Sequence, residues 1–561
     1  MSVKCLKMRD PRIDISDDEI TYVSMVGGSS LTTQEYVASS ASPNSITFNV
    51  TTPSMMTGVD TRIIMEIRMR ISCDGAIFNA ANLTSTTCGL RSHPIYSIIN
   101  NMQLRLNDQS FSMQPSEVIH ALSCYNMSME ERSTWFAGQP VKPDYSTSYA
   151  TGGMSSERNP FSTYEGSSEE IGRNFDTWTV EKVSNADPAQ PNYFDVVFFM
   201  PLVISPLNFT KSTTRCLFMI QNISLTLTLG DTTRMLAGTQ GSLLGVEGAV
   251  AVFTKPTVPP NAAAPPAVTA LRVVPTEPAH QKLHITYCSP SASQSIPSHI
   301  SYGYHDLATY TKPLGQIALG APAISHTFSG IQLSSIFKRC YIFARPQTSE
   351  NLIGADYNMA IDKISITFNN SEGRLSGCSD YDLYDISCRN GYQRSYKYWS
   401  RYGGSVLALE PSKDLALTEN VSEGVQGTFN WSMNVTLRDI RGADADPNPL
   451  NYTLYCVFVR SGVITCAQGL VGLSIGSLTE QVVKDSGWVT PKQRAEVNNF
   501  YTGGSFLGDL YKGFKKVANI ASPLLSLIPD RRAIVASQVA RAIGSARGGA
   551  RARRGSLKNR L

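Results

Sequence analysis

From Ser45 onward, apolar and polar positions alternate with a period of two. The pattern runs through SITFNV (45–50), RIIMEIRMRI (62–71), MQLRLN (102–107), FDVVFFMPLVI (194–204) and CLFMIQNISLTLTL (216–229). Successive side chains of a strand point to opposite faces, so this period predicts strands with one buried face. A second set follows at KLHITYCS (282–289), ISYGYHDLATYT (300–311), IQLSSIFKRCYIFARP (331–346), IDKISITFNN (361–370), GSVLALE (404–410), TFNWSMNVTLRDI (428–440) and YTLYCVFVRSGVITC (452–466). Between strands lie Gly, Ser, Pro and Asn-rich stretches. The longest, Pro140 to Pro191, predicts a surface excursion from a rigid β frame. The Ala/Pro-rich stretch Thr257 to Pro278 reads either as a linker or as a protruding loop of the first β unit.

The two sets repeat one another. Ile99 to Asn107 (INNMQLRLN) matches Ile361 to Asn369 (IDKISITFN), apolar for apolar, and both end on Asn. Each is followed by a helix-like segment ending in a Cys (SEVIHALSC to Cys124, YDLYDISC to Cys388), then by a Pro-containing apolar strand, then by a strand ending SLTLT or NVTLR. The reading is two tandem β units in the same element order. KLHITYCS closes the first where YTLYCVFV closes the second. The expected division is an N-terminal arm over 1–44, a first unit over 45–292 with loops at 140–191 and 254–278, a second over 293–476, an extension over 477–530 and a tail over 531–561.

Composition agrees with β structure. Among 561 residues, 41 Gly and 30 Pro punctuate helical runs, which rules out an all-α chain, while 42% hydrophobic content is too high for disorder. No secretory pattern opens the sequence and no stretch reaches the 18 apolar residues of a bilayer span, so neither export nor membrane insertion is expected.

Charge is unevenly placed. The net +4 hides nine cations without an acid after residue 530, namely Arg531, Arg532, Arg541, Arg547, Arg551, Arg553, Arg554, Lys558 and Arg560. Subtracting them, 4 − 9 leaves the preceding residues at −5. Such an Arg/Gly/Ala tail fits an electrostatic arm for a polyanion, since Arg neutralises phosphates without reading bases. Just before it, Phe506, Leu507, Leu510, Phe514 and Val517 recur at spacings of three and four beside Lys512, Lys515 and Lys516. This predicts an amphipathic basic helix over 505–521, suited to docking on its own shell or to transient membrane contact.

Catalytic and metal chemistry finds little support. Gly472-Leu-Ser-Ile-Gly476 fits the nucleophile pattern of hydrolases, but no His follows His326, so the Ser, acid, His order fails. His280, His284 and Cys288 fall on a predicted strand, where ligands four apart lie about 13 Å from each other. His120 and Cys124 share a helix face but have no third ligand nearby. Asp444-Ala-Asp446-Pro-Asn448 begins like a calcium loop, yet Pro449 and Tyr455 stand where Gly and Glu are needed. The eleven Cys contain no C-x2-C pair. The sequence therefore predicts no enzyme, metal or cofactor.

The repeated order of β elements over about 45 to 475, with the FFMPLVISPLNF strand and the helix after Asn107 and Asn369, resembles the double jelly-roll major capsid proteins of the adenovirus hexon, virophage and polinton-like group. The resemblance implies an all-β fold of two tandem jelly-roll sandwiches with long loops and short inter-strand helices. It also implies homotrimeric, pseudo-hexameric capsomers that build an icosahedral shell, minor capsid proteins as partners, and residence in the virion after assembly in the host cytoplasm or nucleus. The terminal helix and basic tail depart from the family pattern and point to packaged nucleic acid or an inner layer. Two other readings remain: an RNA-virus coat with one shell roll and a differently connected protruding domain, or a β-rich cytosolic binding module.

Overall fold

The computed structural model describes residues 30–54, 57–73, 88–126, 192–207, 216–238, 271–290, 299–347, 358–369, 371–415, 424–441, 449–467 and 469–475, with short segments at 4–8, 22–26, 77–78, 179–183, 246–247 and 478–479. The main strands form two sets in one order. The first comprises β1 (Ser30–Val37), β2 (Ser45–Thr51), β3 (Ile64–Cys73), β4 (Ile99–Leu106), β5 (Gln109–Met113), helix α1 (Pro115–Asn126), β6 (Asn192–Pro201), β7 (Asn222–Leu229) and β8 (Lys282–Ser289). The second comprises β9 (His299–Ile317), β10 (Ile324–Ser335), β11 (Arg339–Pro346), β12 (Ala360–Phe368), β13 (Ser371–Arg374), α2 (Asp380–Arg389), β14 (Leu407–Leu409), β15 (Val425–Arg438) and β16 (Leu450–Ala467).

In the first set β8 pairs with β1 and β3, and β3 with β6, giving the order β1-β8-β3-β6. The facing sheet runs β2-β7-β4-β5. The second set repeats both, as β9-β16-β11-β14 and β10-β15-β12-β13. Each set is a jelly roll, two antiparallel sheets whose inner faces share a core. A protruding domain of different connectivity is thereby excluded.

The repeat extends to irregularities. β4 slips register between Ile99 and Asn101, and β12 slips between Ile361 and Lys363, at matching positions. A bulge shifts the in-out phase by one residue, so Ile99 and Met102 are both buried, as are Ile361 and Ile364. After each bulge alternation resumes. Leu104 and Leu106 are buried where Ile366 and Phe368 are. The first core gathers Phe48, Met65, Ile67, Leu104 and Leu225; the second centres on Phe337, Trp431 and Phe458, with ring centroids 4.9 to 5.5 Å apart at steep angles. Each such side chain, removed from water, stabilises by about 1.5–3 kcal/mol.

Four expectations need correction. Ser30–Val37, assigned to an arm, is the edge strand of the first roll; its SLTTQEYV sequence hides this, because an edge strand with exposed faces needs no apolar alternation. Within the predicted 140–191 loop, Thr179–Val183 pairs antiparallel with β6. Within 254–278, Leu271–Pro275 pairs antiparallel with β3, so this part of the stretch is a strand of the first roll. His280 lies in a 3-10 turn, Pro278–His280, that interrupts the closing strand. Gln281 bridges that interruption. Its side chain accepts from the Arg68 N–H at 3.0 Å and donates to the Arg68 carbonyl at 2.9 Å, replacing a missing ladder residue.

Candidate assembly interface

The chemistry-bearing surface of this chain is where one roll meets the other. Two elements of the first roll supply much of it. At the turn after β4, Asn107 adopts a left-handed backbone (φ 53°), which Asn tolerates because its short side chain bonds locally. Its Oδ1 accepts from the N–H groups of Gln221 and Asn222 at 2.7 and 3.0 Å. Its Nδ2 donates to the Met219 carbonyl at 2.9 Å and, across to the second roll, to the Gly469 carbonyl at 2.8 Å. Asp108 beside it accepts from the Val471 N–H at 3.0 Å. Asn369 repeats the arrangement in the second roll, with φ 50° and Oδ1 accepting from the Asn430 N–H at 2.8 Å.

Helix α1 is the second element. Proline suits its first position, where the amide hydrogen has no intrahelical acceptor. Tyr125 projects into the second roll, where its hydroxyl donates to the Val406 carbonyl and its ring lies 5.4 Å from Tyr341 and 5.6 Å from Tyr392. Tyr341 in turn donates to Asn126 Oδ1 at 3.1 Å. Val118, Ala121 and Tyr125, spaced by three and four along one helix stripe, are all buried.

Further groups of the first roll meet the second on β9. The Phe218 N–H donates to the Tyr302 hydroxyl at 2.7 Å, the His305 N–H donates to Ser205 Oγ at 2.9 Å, and Phe111 packs 5.1 Å from Tyr304. Burial raises the pKa of Tyr125, Tyr302 and Tyr304. Burial, with Lys338 and Arg339 nearby, pushes His305 down to about 3. At neutral pH the tyrosines and the histidine of this seam are uncharged, as a dry contact requires.

The pattern matches known proteins. The family model described as Sputnik virophage major capsid protein 1st domain matches residues 2–264, and that of the major capsid protein V20 C-terminal domain matches residues 307–403, one on each roll. The chain belongs to the double jelly-roll major capsid proteins. This capsid protein is 24% identical to capsid protein V20 of Sputnik virophage, over 96% of its own length and 90% of that protein. A cryo-electron-microscopy structure of the Sputnik virophage superposes with a TM-score of 0.68 at 21% identity, covering 86% of this chain and 95% of that one. The mavirus major capsid protein superposes at 0.60 and 14% identity, covering 86% and 97%. Its role is structural, as the major capsid protein of a virus particle.

The sites expected from the sequence fare differently in this capsid protein. The tail residues Arg531 to Arg560 and the helix residues Phe506 to Val517 lie outside the described residues, as does the 444–448 turn. His120 and Cys124 do share α1, with Nε2 and Sγ 4.0 Å apart. No group of three His, Cys, Asp or Glu among the described residues is placed to hold a metal. Ser474 sits within the strand Leu470–Ile475, paired with Val463, and on no strand-to-helix turn. Among the described residues, no helix is long and apolar enough to cross a membrane. The seam residues Tyr125, Tyr302 and Asp108 went unread. Their partners lie in the other roll, and the only trace of them in the sequence was the shared terminal Asn of the repeat.

Proposed function

We propose that three copies of this chain assemble into a pseudo-hexagonal capsomer, six rolls in a ring, and that these capsomers tile an icosahedral shell. The observation that carries this reading is the pairing of two rolls of identical strand order, joined side by side by an unsymmetrical seam. Contacts that use different patches on the two partners propagate until they close on themselves. The basic tail faces inward and neutralises packaged genome or an inner layer, while the stripe over 505–521 docks on the shell or touches a membrane during assembly in the host cytoplasm or nucleus. Minor capsid proteins complete the particle.

Size-exclusion with light scattering and negative-stain microscopy test the capsomer: three times the 61.2 kDa chain mass and hexagonal outlines support it, and a monomer across salt and pH overturns it. For the tail, deleting 531–561 is expected to leave the melting temperature unchanged and to abolish salt-sensitive nucleic-acid binding. Binding that survives the deletion removes the arm from the proposal.

A further inference from the structure

We propose that the solvent face of the first roll's second sheet holds a sugar acid, its carboxylate on Arg105 and its hydroxyls on the amide and hydroxyl side chains around it. On that face β4, β7 and β2 lie side by side, and their register sets six outward residues in two rows. Arg105, Ser224 and Asn49 form one row; Asn107, Asn222 and Thr51 form the other. They line a depression of about 380 Å³, with only the buried Val50 and Ile223 between them. Strand spacing and the two-residue step make the footprint about 10 Å by 7 Å, which one pyranose ring with its substituents covers.

Arg105 makes this face a site for an anion. Its Nε donates to the Asn107 carbonyl at 3.1 Å, which leaves Nη1 and Nη2 for a ligand, and among the described residues no Asp or Glu stands within ion-pairing reach of it. Arg70, Arg438 and Arg460, by contrast, each hold a carboxylate of their own sheet. The other five side chains of the two rows are uncharged donors and acceptors, so none of them repels a carboxylate. Ser224 Oγ donates to Asn49 Oδ1 at 2.8 Å, Asn49 Nδ2 donates to Ser39 Oγ at 3.2 Å, and Asn107 is fixed by its bonds to both rolls. Half of the grid is thus set before a ligand arrives, which lowers the entropy lost on binding. The Asn222 amide and the Thr51 hydroxyl make no bond to the described residues. A planar guanidinium meets a carboxylate with two parallel bonds. Charge complementarity, with an amide and hydroxyl lining around the one cation, selects a polyol acid over a bare anion or an apolar group. The second roll shows the same face without the cation. Thr367, Ser432, Asn369 and Asn430 stand where Arg105, Ser224, Asn107 and Asn222 do, and β10 slips register between Phe328 and Ile331, where a third strand would complete the rows.

Saturation-transfer NMR on the full chain tests this, with D-glucuronate as the probe, D-glucose as its uncharged counterpart and acetate as the bare anion. Transfer to the ring protons of glucuronate is expected, with little to glucose. Arg105→Thr gives the first roll the residue of the second and is expected to keep the wild-type melting temperature while weakening glucuronate about tenfold, as the loss of a charge-assisted hydrogen bond does. The nine tail cations stay in place in this variant, so the loss cannot come from them. Thr51→Val with Asn222→Ala is expected to weaken glucuronate and leave acetate unchanged. Transfer that is absent from the wild type, or that survives Arg105→Thr because the tail alone holds the probe, overturns the proposal. Acetate that displaces glucuronate at equal concentration shows an anion site only and overturns the saccharide assignment.

Discussion

Helices α1 and α2 occupy the same place in their rolls, each following the hairpin that ends on a left-handed Asn, yet their outer stripes are opposite in chemistry. Val118, Ala121 and Tyr125 are buried, whereas Asp382, Asp385 and Arg389 are exposed, with Asp385 and Arg389 paired at 3.2 Å. Topology is thus common to the two rolls while surface is not. A contact made once, during folding of a single chain, can be dry and permanent. A helix face left in water has to stay soluble, and charge keeps it so.

The largest effect should come from truncating the ring that enters the second roll. Tyr125→Ala is expected to cost about 3–5 kcal/mol, because a cavity is added to the lost transfer energy, while Arg389→Ala at the matching position should stay below about 0.5 kcal/mol. Urea unfolding of both variants checks this; equal losses would erase the contrast.

Next come the turns. Asn107→Ala removes bonds to Gln221, Asn222, Met219 and Gly469 and leaves an alanine in left-handed backbone, a loss of about 2–3 kcal/mol. Asn369→Ala, which among the described residues loses one side-chain bond, to Asn430, should lose about half as much. Asn107→Gly separates the terms, since glycine relieves the backbone but restores no bond; full rescue by glycine would show that the cross-roll bond contributes nothing.

Near neutral pH the smallest effect is a pH slope. His305 titrates near 3 in the folded chain and near 6.5 unfolded, so below 6.5 the unfolded state binds the extra proton. Stability should fall as the pH drops through 6.5 towards 3, by about 1.4 kcal/mol per pH unit at most. In His305→Asn that share of the slope between pH 6 and 4 should vanish. An unchanged slope would mean that His305 reaches water when the seam is made.

Much of the fold was legible because its causes are local. Period two placed the strands, and the INNMQLRLN and IDKISITFN match found the repeated pair; the bulge and the left-handed turn that the two also share came only with the structure. Ser30–Val37 escaped because an exposed edge strand has no apolar face to betray it, and Leu271–Pro275 because it was read as part of a proline-rich loop.

By itself the sequence determined the all-β class and the duplication, since each depends on neighbours along the chain. The tertiary structure alone decided which copy of a shared motif is buried. Asn107 and Asn369 share the residue, the left-handed backbone and an Oδ1 that accepts from the facing strand, but Asn107 adds bonds to Gln221 and Met219 and reaches Gly469 in the other roll. Whether Tyr125 fills a seam or Arg389 faces water depends on contacts more than 200 residues away in the chain, such as that from Tyr125 to Val406, and no local periodicity encodes such a distance.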